Sequence, residues 1–405
     1  MSLVVQKFGG SSLSSHEKRE QVIDIVQRTL NKGYDVALVV SAMGRQGEPY
    51  ATDTLKQLLF NEHQDIPRRA LDLIMSCGEV ISAAVMSAAL HKNGITARAV
   101  TGPQAGFVTD GGYGEAEVLE CNPDYLKELL QQGEVPVVCG FQGADIKGEI
   151  NTLGRGGSDT TAVILGAALG AENVEIYTDV AGIMTADPGI LKEARVIEQI
   201  TYGEVFQLAH EGAKVLHPRA VEVAMRNNVN VFIKSTLEPE VGTLITGEAS
   251  FNEGDYSTRG RRAVTGIAHT NDLVQFLIEL EKPDPFGELE IFQLVGDSGV
   301  NIDLISVFPM LKAFIVKEEY CERVEDILNK LNVNYRVEKD CAKVSVVGVG
   351  MQNIPGVMAR VVKVLKDHGI DIIQTGDSNI SISLLVKQEE LKTAVKVLHD
   401  EFLKV

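Results

Sequence analysis

Lys7-Phe8-Gly9-Gly10-Ser11-Ser12 puts an ammonium group, two glycines and two hydroxyls directly after the apolar run Leu3-Val4-Val5. Glycines let backbone amides approach an anion closely, and serines can cap a helix or donate hydrogen bonds. The lysine precedes the glycines, so the order is neither the GxxxxGK of a P-loop nor the GxGxxG of a dinucleotide site. A second run, Leu153-Gly154-Arg155-Gly156-Gly157-Ser158-Asp159-Thr160-Thr161, leads three glycines into an apolar helical pattern. Ser158 or Asp159 is the expected N-cap. Such a helix start is a ready anion site, and Arg155 adds a planar fork suited to carboxylate or phosphate. Asp159 repels an anion unless it orients a lysine, a substrate amine or a metal. Taken singly, a tight turn and a capped helix account for the two runs; together, two glycine-rich anion loops favour function.

Three further segments carry weaker signals. The loop from Thr178 and Asp179 through Gly182 and Met184 to Asp187 and Pro188 has strand-end polar groups and a fixed turn. On its own it reads as a surface loop. Lys214, between two helical patterns, is a candidate second cation for phosphates. Glu79, in a stretch of small residues, is a candidate partner for an ammonium group. Gly348-Val349-Gly350 starts like a dinucleotide motif but ends in Asn353, so no nicotinamide site is implied. The eight histidines show no ligand spacing, and HExxH and GxSxG are absent, so no residue is assigned to a metal.

These groups need a frame. Continuous Val/Ile-rich strands are expected at 3–8, 36–40, 96–100, 135–141, 174–178 and 231–234. Helices are expected at 17–30, 71–92, 123–132, 160–170, 202–209 and 218–227, with Gly33 closing the first. That alternation predicts an α/β fold, an αβα sandwich with a mainly parallel sheet. Such sheets bind ligands at the carboxyl ends of their strands, where the lysine–glycine run lies. A polar stretch near 247–262 reads as a linker. Beyond it the chain repeats itself. A helix from Pro285 ends at Asp297-Ser298-Gly299, a strand is expected around Val300-Asn301-Ile302, and another covers 313–316. The second copy runs through Pro355, Asp367-His368-Gly369, a strand at Ile370-Asp371-Ile372, and 383–386. Two small βαββ-type units are the natural reading, and such units usually pair their sheets. The expected division is 1–247, a linker at 248–263, then 264–340 and 341–405.

The 405 residues suit two or three domains with large cores. Apolar residues at 44% and charged residues at 23% are ordinary globular values, which excludes a disordered chain. A net charge of −18 argues against nucleic acid and anionic membranes as partners, and requires local cations for any anionic substrate. Five cysteines without a CxxC pair read as small buried hydrophobes in a reducing compartment. No basic leader precedes an apolar core, and the longest mild apolar run noted, at 162–171, is half of the ~20 residues a membrane span needs. A soluble cytoplasmic protein is expected.

KFGGSS at 7–12, VVSAM at 39–43, CGE at 77–79, GRGGSDTTA at 154–162, TDVAGIMTADP at 178–188 and GAKVLHP at 212–218 follow one another in family order. Any one of these is weak; six in order are specific. The chain resembles the aspartokinases of the amino-acid kinase family, followed by two ACT domains, which implies two ferredoxin-like βαββαβ units, and Tyr50-Ala51-Thr52-Asp53-Thr54-Leu55 resembles the short single-function bacterial forms. The resemblance implies that Lys7, Gly9, Gly10 and Ser11 face ATP phosphates. Thr178, Asp179, Met184, Asp187, Pro188 and Lys214 would form the nucleotide side. Ser41, Thr52, Glu79, Arg155, Gly156, Gly157, Ser158 and Asp159 would surround L-aspartate. Arg155 would grip the α-carboxylate, while Glu79 and Asp159 hold the ammonium group or order the phosphate lysines. Met184 stands where the family usually has Tyr and Gly189 where Arg commonly follows the Pro, so adenine stacking and one phosphate contact are not carried over.

The implied reaction moves the ATP γ-phosphoryl group to the β-carboxylate of aspartate, feeding the pathway to lysine, threonine, methionine and diaminopimelate. A carboxylate is already a nucleophile at neutral pH, so the difficulty lies in holding two anions together. Lys7, Asp159 and Lys214 would be the catalytic groups, with Mg²⁺ on the nucleotide. The ACT pair resembles amino-acid sensors, with Asp297, Val300, Asn301 and Ile302 matching the effector loop. Val307 falls where lysine- or threonine-sensitive members often have Gln; lysine, threonine and diaminopimelate all stay open. Paired ACT units imply a homo-oligomer, and dimerisation alone is the plainer alternative for them. A kinase for another carboxylate such as glutamate, or a silent amino-acid sensor, are the competing readings.

Overall fold

The computed structural model describes residues 2–213, 216–247, 264–280, 285–349, 351 and 354–404, with backbone only for 285–289. The described residues fall into two compact units, Met1–Ile183, Val196–Ala209 and Lys214–Phe251 in one, and Met184–Arg195, His210–Ala213 and Asn252–Val405 in the other.

The β-branched runs of the first unit form its sheet. Strands β1 (Leu3–Phe8), β2 (Asp35–Val40), β3 (Ala97–Val100), β6 (Val135–Cys139), β9 (Asn173–Thr178) and β11 (Val231–Ser235) pair in parallel. With β10 (Gln199–Thr201) and the reversed β12 (Gly242–Thr246), the order is β10-β12-β11-β9-β1-β2-β6-β3. Every residue of β1 is buried, as a strand covered on both faces must be. Alternation then decides what each side chain meets. Phe8 enters the core beneath helices α2 (His16–Asn31) and α4 (Arg68–Lys92), with Val22, Val26, Met86 and Leu90. Lys7, one residue earlier, points to the opposite face. Two short helices, α1 (Gly10–Leu13) and α3 (Thr52–Glu62), follow the lysine–glycine turn and the β2 loop, while α5 (Asp124–Gln131) leads into β6. Helix α3 and a small four-stranded sheet were not foreseen. That sheet comprises β4 (Phe107–Thr109), β5 (Val118–Cys121), β7 (Gln142–Ala144) and β8 (Ile150–Thr152), ordered β5-β4-β7-β8. Helices α6 (Gly157–Leu169), α7 (Tyr202–His210) and α8 (Pro218–Asn227) complete the unit.

Helix α4 is longer and more apolar than its sequence pattern suggested, enough by length and composition to cross a membrane. Its acidic residues, Asp72 and Glu79, lie two turns apart on one buried face, and the helix packs on β3, β6 and β8 as a core helix. Cys139, Cys321 and Cys341 are buried as expected; Cys121 is half-buried and Cys77, on α4, is exposed instead.

In the second unit the duplication shows as one antiparallel sheet. Its strands are β13 (Gly266–Glu279), β14 (Asp303–Phe308), β15 (Leu311–Lys317), β16 (Asn334–Val347), β17 (Gln374–Asp377) and β18 (Ser381–Lys387), ordered β14-β15-β13-β16-β18-β17. Helices α9 (Pro285–Asp297), α10 (Cys321–Lys330), α11 (Val357–Asp367) and α12 (Leu391–Phe402) join them. The long strands serve both repeats: 273–279 pairs with 334–341 in the first, and 266–270 with 343–347 in the second. The second repeat thus takes its fourth strand from a segment ahead of the first repeat. Asp272 and Asp340 stand at this handover with φ of 55° and 56°, beside register shifts in the ladder. Val300–Ile302 and Ile370–Ile372 are not strands, contrary to expectation. Val300 and Ile370 close the preceding helices as buried apolar plugs, and the strands begin at Asp303 and Gln374.

The core of the second repeat (Val344, Leu384, Val361, Leu398) also contains Ala186 and Leu191 from the Met184–Arg195 segment. Beside it, Lys343 is almost fully buried, 2.9 Å from Glu211 and paired with Asp303, while the Ser345 hydroxyl donates to Glu211 at 2.6 Å. Burial lowers the Lys343 pKa, but the Glu211 and Asp303 carboxylates more than reverse this and raise it. Removing one partner of such a network strands the other charges. Lys343→Met is expected to cost about 3–5 kcal/mol in denaturant unfolding at pH 7; an unchanged midpoint would mean that the network contributes nothing.

Candidate active site

Three chain segments meet at the carboxyl end of β1. The turn after β1 brings Gly10 so close to the β2 loop that a Cβ there would lie 2.2 Å from the Ala42 carbonyl oxygen, which excludes any side chain. The Gly44 N–H donates to the Gly10 carbonyl at 3.0 Å and fixes this approach. The third segment is the glycine-rich turn into α6. Gly156 has φ +69°, and its Cβ direction is filled by His217 at 2.2 Å. Gly156, rather than Ser158 or Asp159, is the N-cap, and no side chain caps the helix. Asp159 instead turns from the first turn of α6 to Lys7, with Nζ and Oδ1 2.6 Å apart.

A cavity of about 350 Å³ lies between these segments. Lys7 and Gly10 line it together with all eight residues expected around the amino-acid substrate: Ser41, Thr52, Glu79, Arg155, Gly156, Gly157, Ser158 and Asp159. Glu79 is 2% exposed and accepts the Ala42 N–H at 3.0 Å through Oε1, while its Oε2 is buried without a hydrogen-bond partner. Burial pushes its pKa up to about 8, against a weaker lowering by the Ala42 N–H. Two cations, two carboxylates and three hydroxyls in one small cavity suit a zwitterion that carries an additional anion.

The remaining expected residues are placed as follows. Gly9 sits beside β9, its N–H 3.4 Å from the Tyr177 carbonyl oxygen, and Ser11 is in α1. Thr178 ends β9 and donates to Asp179 at 3.1 Å. Asp179 is exposed and pairs with Arg45 at 2.6 Å, a partner the sequence did not suggest. Met184, Asp187 and Pro188 belong to the second unit, where Met184 packs on its core and Asp187 accepts the Gly189 N–H at 2.7 Å. Lys214 lies outside the described residues. Asp297 ends α9 and is exposed, Val300 is buried, Asn301 is exposed and Ile302 packs against the first-repeat core. Four cavity residues were missed as site residues: Ala42, Gly44, Phe141 and Gly154. Phe141 has φ +67°, a conformation no sequence pattern announced. Among the described residues no group of three or more His, Cys, Asp or Glu side chains could by itself hold a metal ion.

The profile of the amino acid kinase family matches residues 2–235, and that of the ACT domain matches 344–402. Aspartokinase 1 of Bacillus subtilis is 40% identical over 402 residues, covering 99% of each chain. The chain belongs to the aspartokinases, within the amino acid kinase family. Two structures of Escherichia coli aspartokinase III are 25% identical over 99% of each chain. The complex with aspartate and ADP gives a TM-score of 0.73, and that with lysine and aspartate 0.76.

Glu79 gives the site a measurable pH signature. Its pKa is raised from 4.5 to about 8, so the fold favours the protonated form. That contribution is complete below pH 4.5 and is lost as the pH rises through 8. Glu79→Gln is therefore expected to unfold at a higher temperature than the parent chain at pH 8, with the difference vanishing toward pH 4.5. A pH-independent difference would contradict the burial.

Proposed function

We propose that the cavity binds L-aspartate beside the end of the ATP triphosphate, and that the chain transfers the γ-phosphoryl group to the β-carboxylate, giving 4-phospho-L-aspartate. The observation that carries this is the Lys7–Asp159 pair facing a buried, half-satisfied Glu79 and Arg155 across one cavity. Arg155 pairs with the α-carboxylate in a planar fork. Glu79 Oε2 takes the ammonium group, with Ser41, Thr52 and Ser158 as hydroxyl partners. The β-carboxylate is then directed at the phosphoryl group and needs no base. Lys7, kept in line by Asp159, meets the charge that spreads over the transferred oxygens, together with the amides of Gly9, Gly10 and Ser11 and those at the start of α6. Thr178, Asp179 and Lys214 complete the nucleotide side. Magnesium bound with the nucleotide would supply neutralisation of the phosphate charge, and no side chain of the described residues is assigned to it.

We further propose a soluble, cytoplasmic homo-oligomer regulated by an amino acid. Strand β14 is a sheet edge with Ile305, Val307 and Phe308 exposed, an apolar edge that a second copy would cover. Asn301 and Ile302 immediately precede it, so an effector held there would sit at the same seam. Lysine, threonine and diaminopimelate are the candidates, to be separated by equilibrium binding of each.

A hydroxamate assay with ATP is expected to give product with aspartate and little with glutamate; the reverse preference would reassign the substrate. Lys7→Ala should lower turnover by about 10²-fold or more. Aspartate binding at pH 7 should release close to one proton, because the ammonium group ionises Glu79. Calorimetry in buffers of different ionisation enthalpy reads this directly, and no proton release would remove Glu79 from the ammonium site.

A further inference from the structure

Arg155 stands on a turn between two left-handed glycines, Gly154 and Gly156, so its own backbone does little to fix it. The fixing comes from elsewhere. Asp72, 1% exposed on α4, accepts the N–H groups of Gly114 at 3.0 Å and Thr152 at 2.7 Å through one oxygen. Arg219, in the first turn of α8, donates to the carbonyl oxygens of Ala116 at 2.8 Å and Leu153 at 3.0 Å. Both side chains therefore bridge the same two segments, 114–116 and 152–153. Those segments also pair with each other, the Ala116 N–H donating to Thr152 at 2.9 Å. His217, two residues before Arg219, fills the space above Gly156.

We propose that Asp72 and Arg219 are positioning residues for Arg155, two clips that set the strand end from which it reaches the substrate. The inference rests on the proposed role of Arg155 as the carboxylate grip. Neither residue lines the cavity, so both act only through the turn. The groups they hold are all backbone N–H and carbonyl groups, so what is lost on truncation is register, not a ligand contact. A shift of about 1 Å at an aligning group can cost as much as 10²-fold in rate, and an effect of this kind falls on one substrate.

The test uses the full chain. Arg219→Ala is expected to raise KM for aspartate about tenfold or more, leaving KM for ATP within about twofold. Arg219→Lys, with one donor group in place of a fork, should fall between. Asp72→Asn, which keeps a carbonyl oxygen for the two N–H groups, should stay near the parent, whereas Asp72→Ala should behave like Arg219→Ala. If either alanine variant does not fold, the other alanine variant and Arg219→Lys are read by the same criteria. Equal rises in both KM values, a loss confined to kcat, or no change overturns the proposal. Arg155→Ala serves as control: if it raises KM for aspartate and Arg219→Ala does not, only the clips fail; if it leaves that KM unchanged, the carboxylate reading and the clips fall together.

Discussion

A lysine at the end of a central strand is shut off from water on nearly every side and lies against a carboxylate. Asp159 meets Lys7 at 2.6 Å, both side chains less than a fifth exposed. Everything else at the site is arranged around that contact. Strand alternation must turn Lys7 away from the Phe8 core, α6 must begin at Gly157 and not later, and β1 must lie between β9 and β2 so that its carboxyl end opens on the cavity. Asp159 also answers the objection that a carboxylate has no place in an anion site. On the proposed reaction it aligns the lysine in advance, so that an arriving phosphate finds a cation already aimed.

The cavity is shaped by backbone more than by side chains. At Gly10 and Gly156 the nearest neighbours stand where a Cβ would be, so the loops approach one another to a distance that no other residue permits. The charged groups then need little freedom of their own. Glu79 is delivered by a helix, Lys7 by a strand and Asp159 by a helix start, the rigid elements from which alignment can be held. Arg155 is the exception, and its turn is braced by side-chain to backbone bonds from two other helices.

Much of this could be read from sequence because the decisive features are local. The lysine–glycine run, the glycine-rich helix entry and the β-branched strands each announce their conformation within a few residues, and most strands and helices of the first unit fall where expected. What escaped was non-local. Asp72 and Arg219 look like ordinary helix residues until the fold brings 114–116 beside 152–153. Phe141 gives no sign of its positive φ, and the apolar α4 is interrupted by two carboxylates whose buried partners lie far along the chain. The strands of the second unit were misplaced for a related reason: Val300 and Ile370 look like strand residues but plug the ends of helices, because the turn after Gly299 and Gly369 buries the first apolar residue that follows.

The same distinction bears on regulation. Asp303 directly follows Asn301 and Ile302, the residues proposed above for the effector, and its carboxylate shares Lys343 with Glu211. Glu211 in turn immediately precedes the GAKVLHP segment, three residues before Lys214. A buried lysine with two carboxylates cannot lose one without a change in its hold on the other, since each carboxylate raises its pKa against the cost of burial. Asp303 and Glu211 are thus coupled by electrostatics through one ammonium group. Thr185 offers a second tie of this kind: its hydroxyl lies 2.9 Å from the buried His399 of α12, and it belongs to the segment that contains Met184, Asp187 and Pro188. Residues 184–188 and 212–213, the end of one such segment and the start of another, thus belong to the unit that carries the ACT match, so the chain passes between its two units inside both segments.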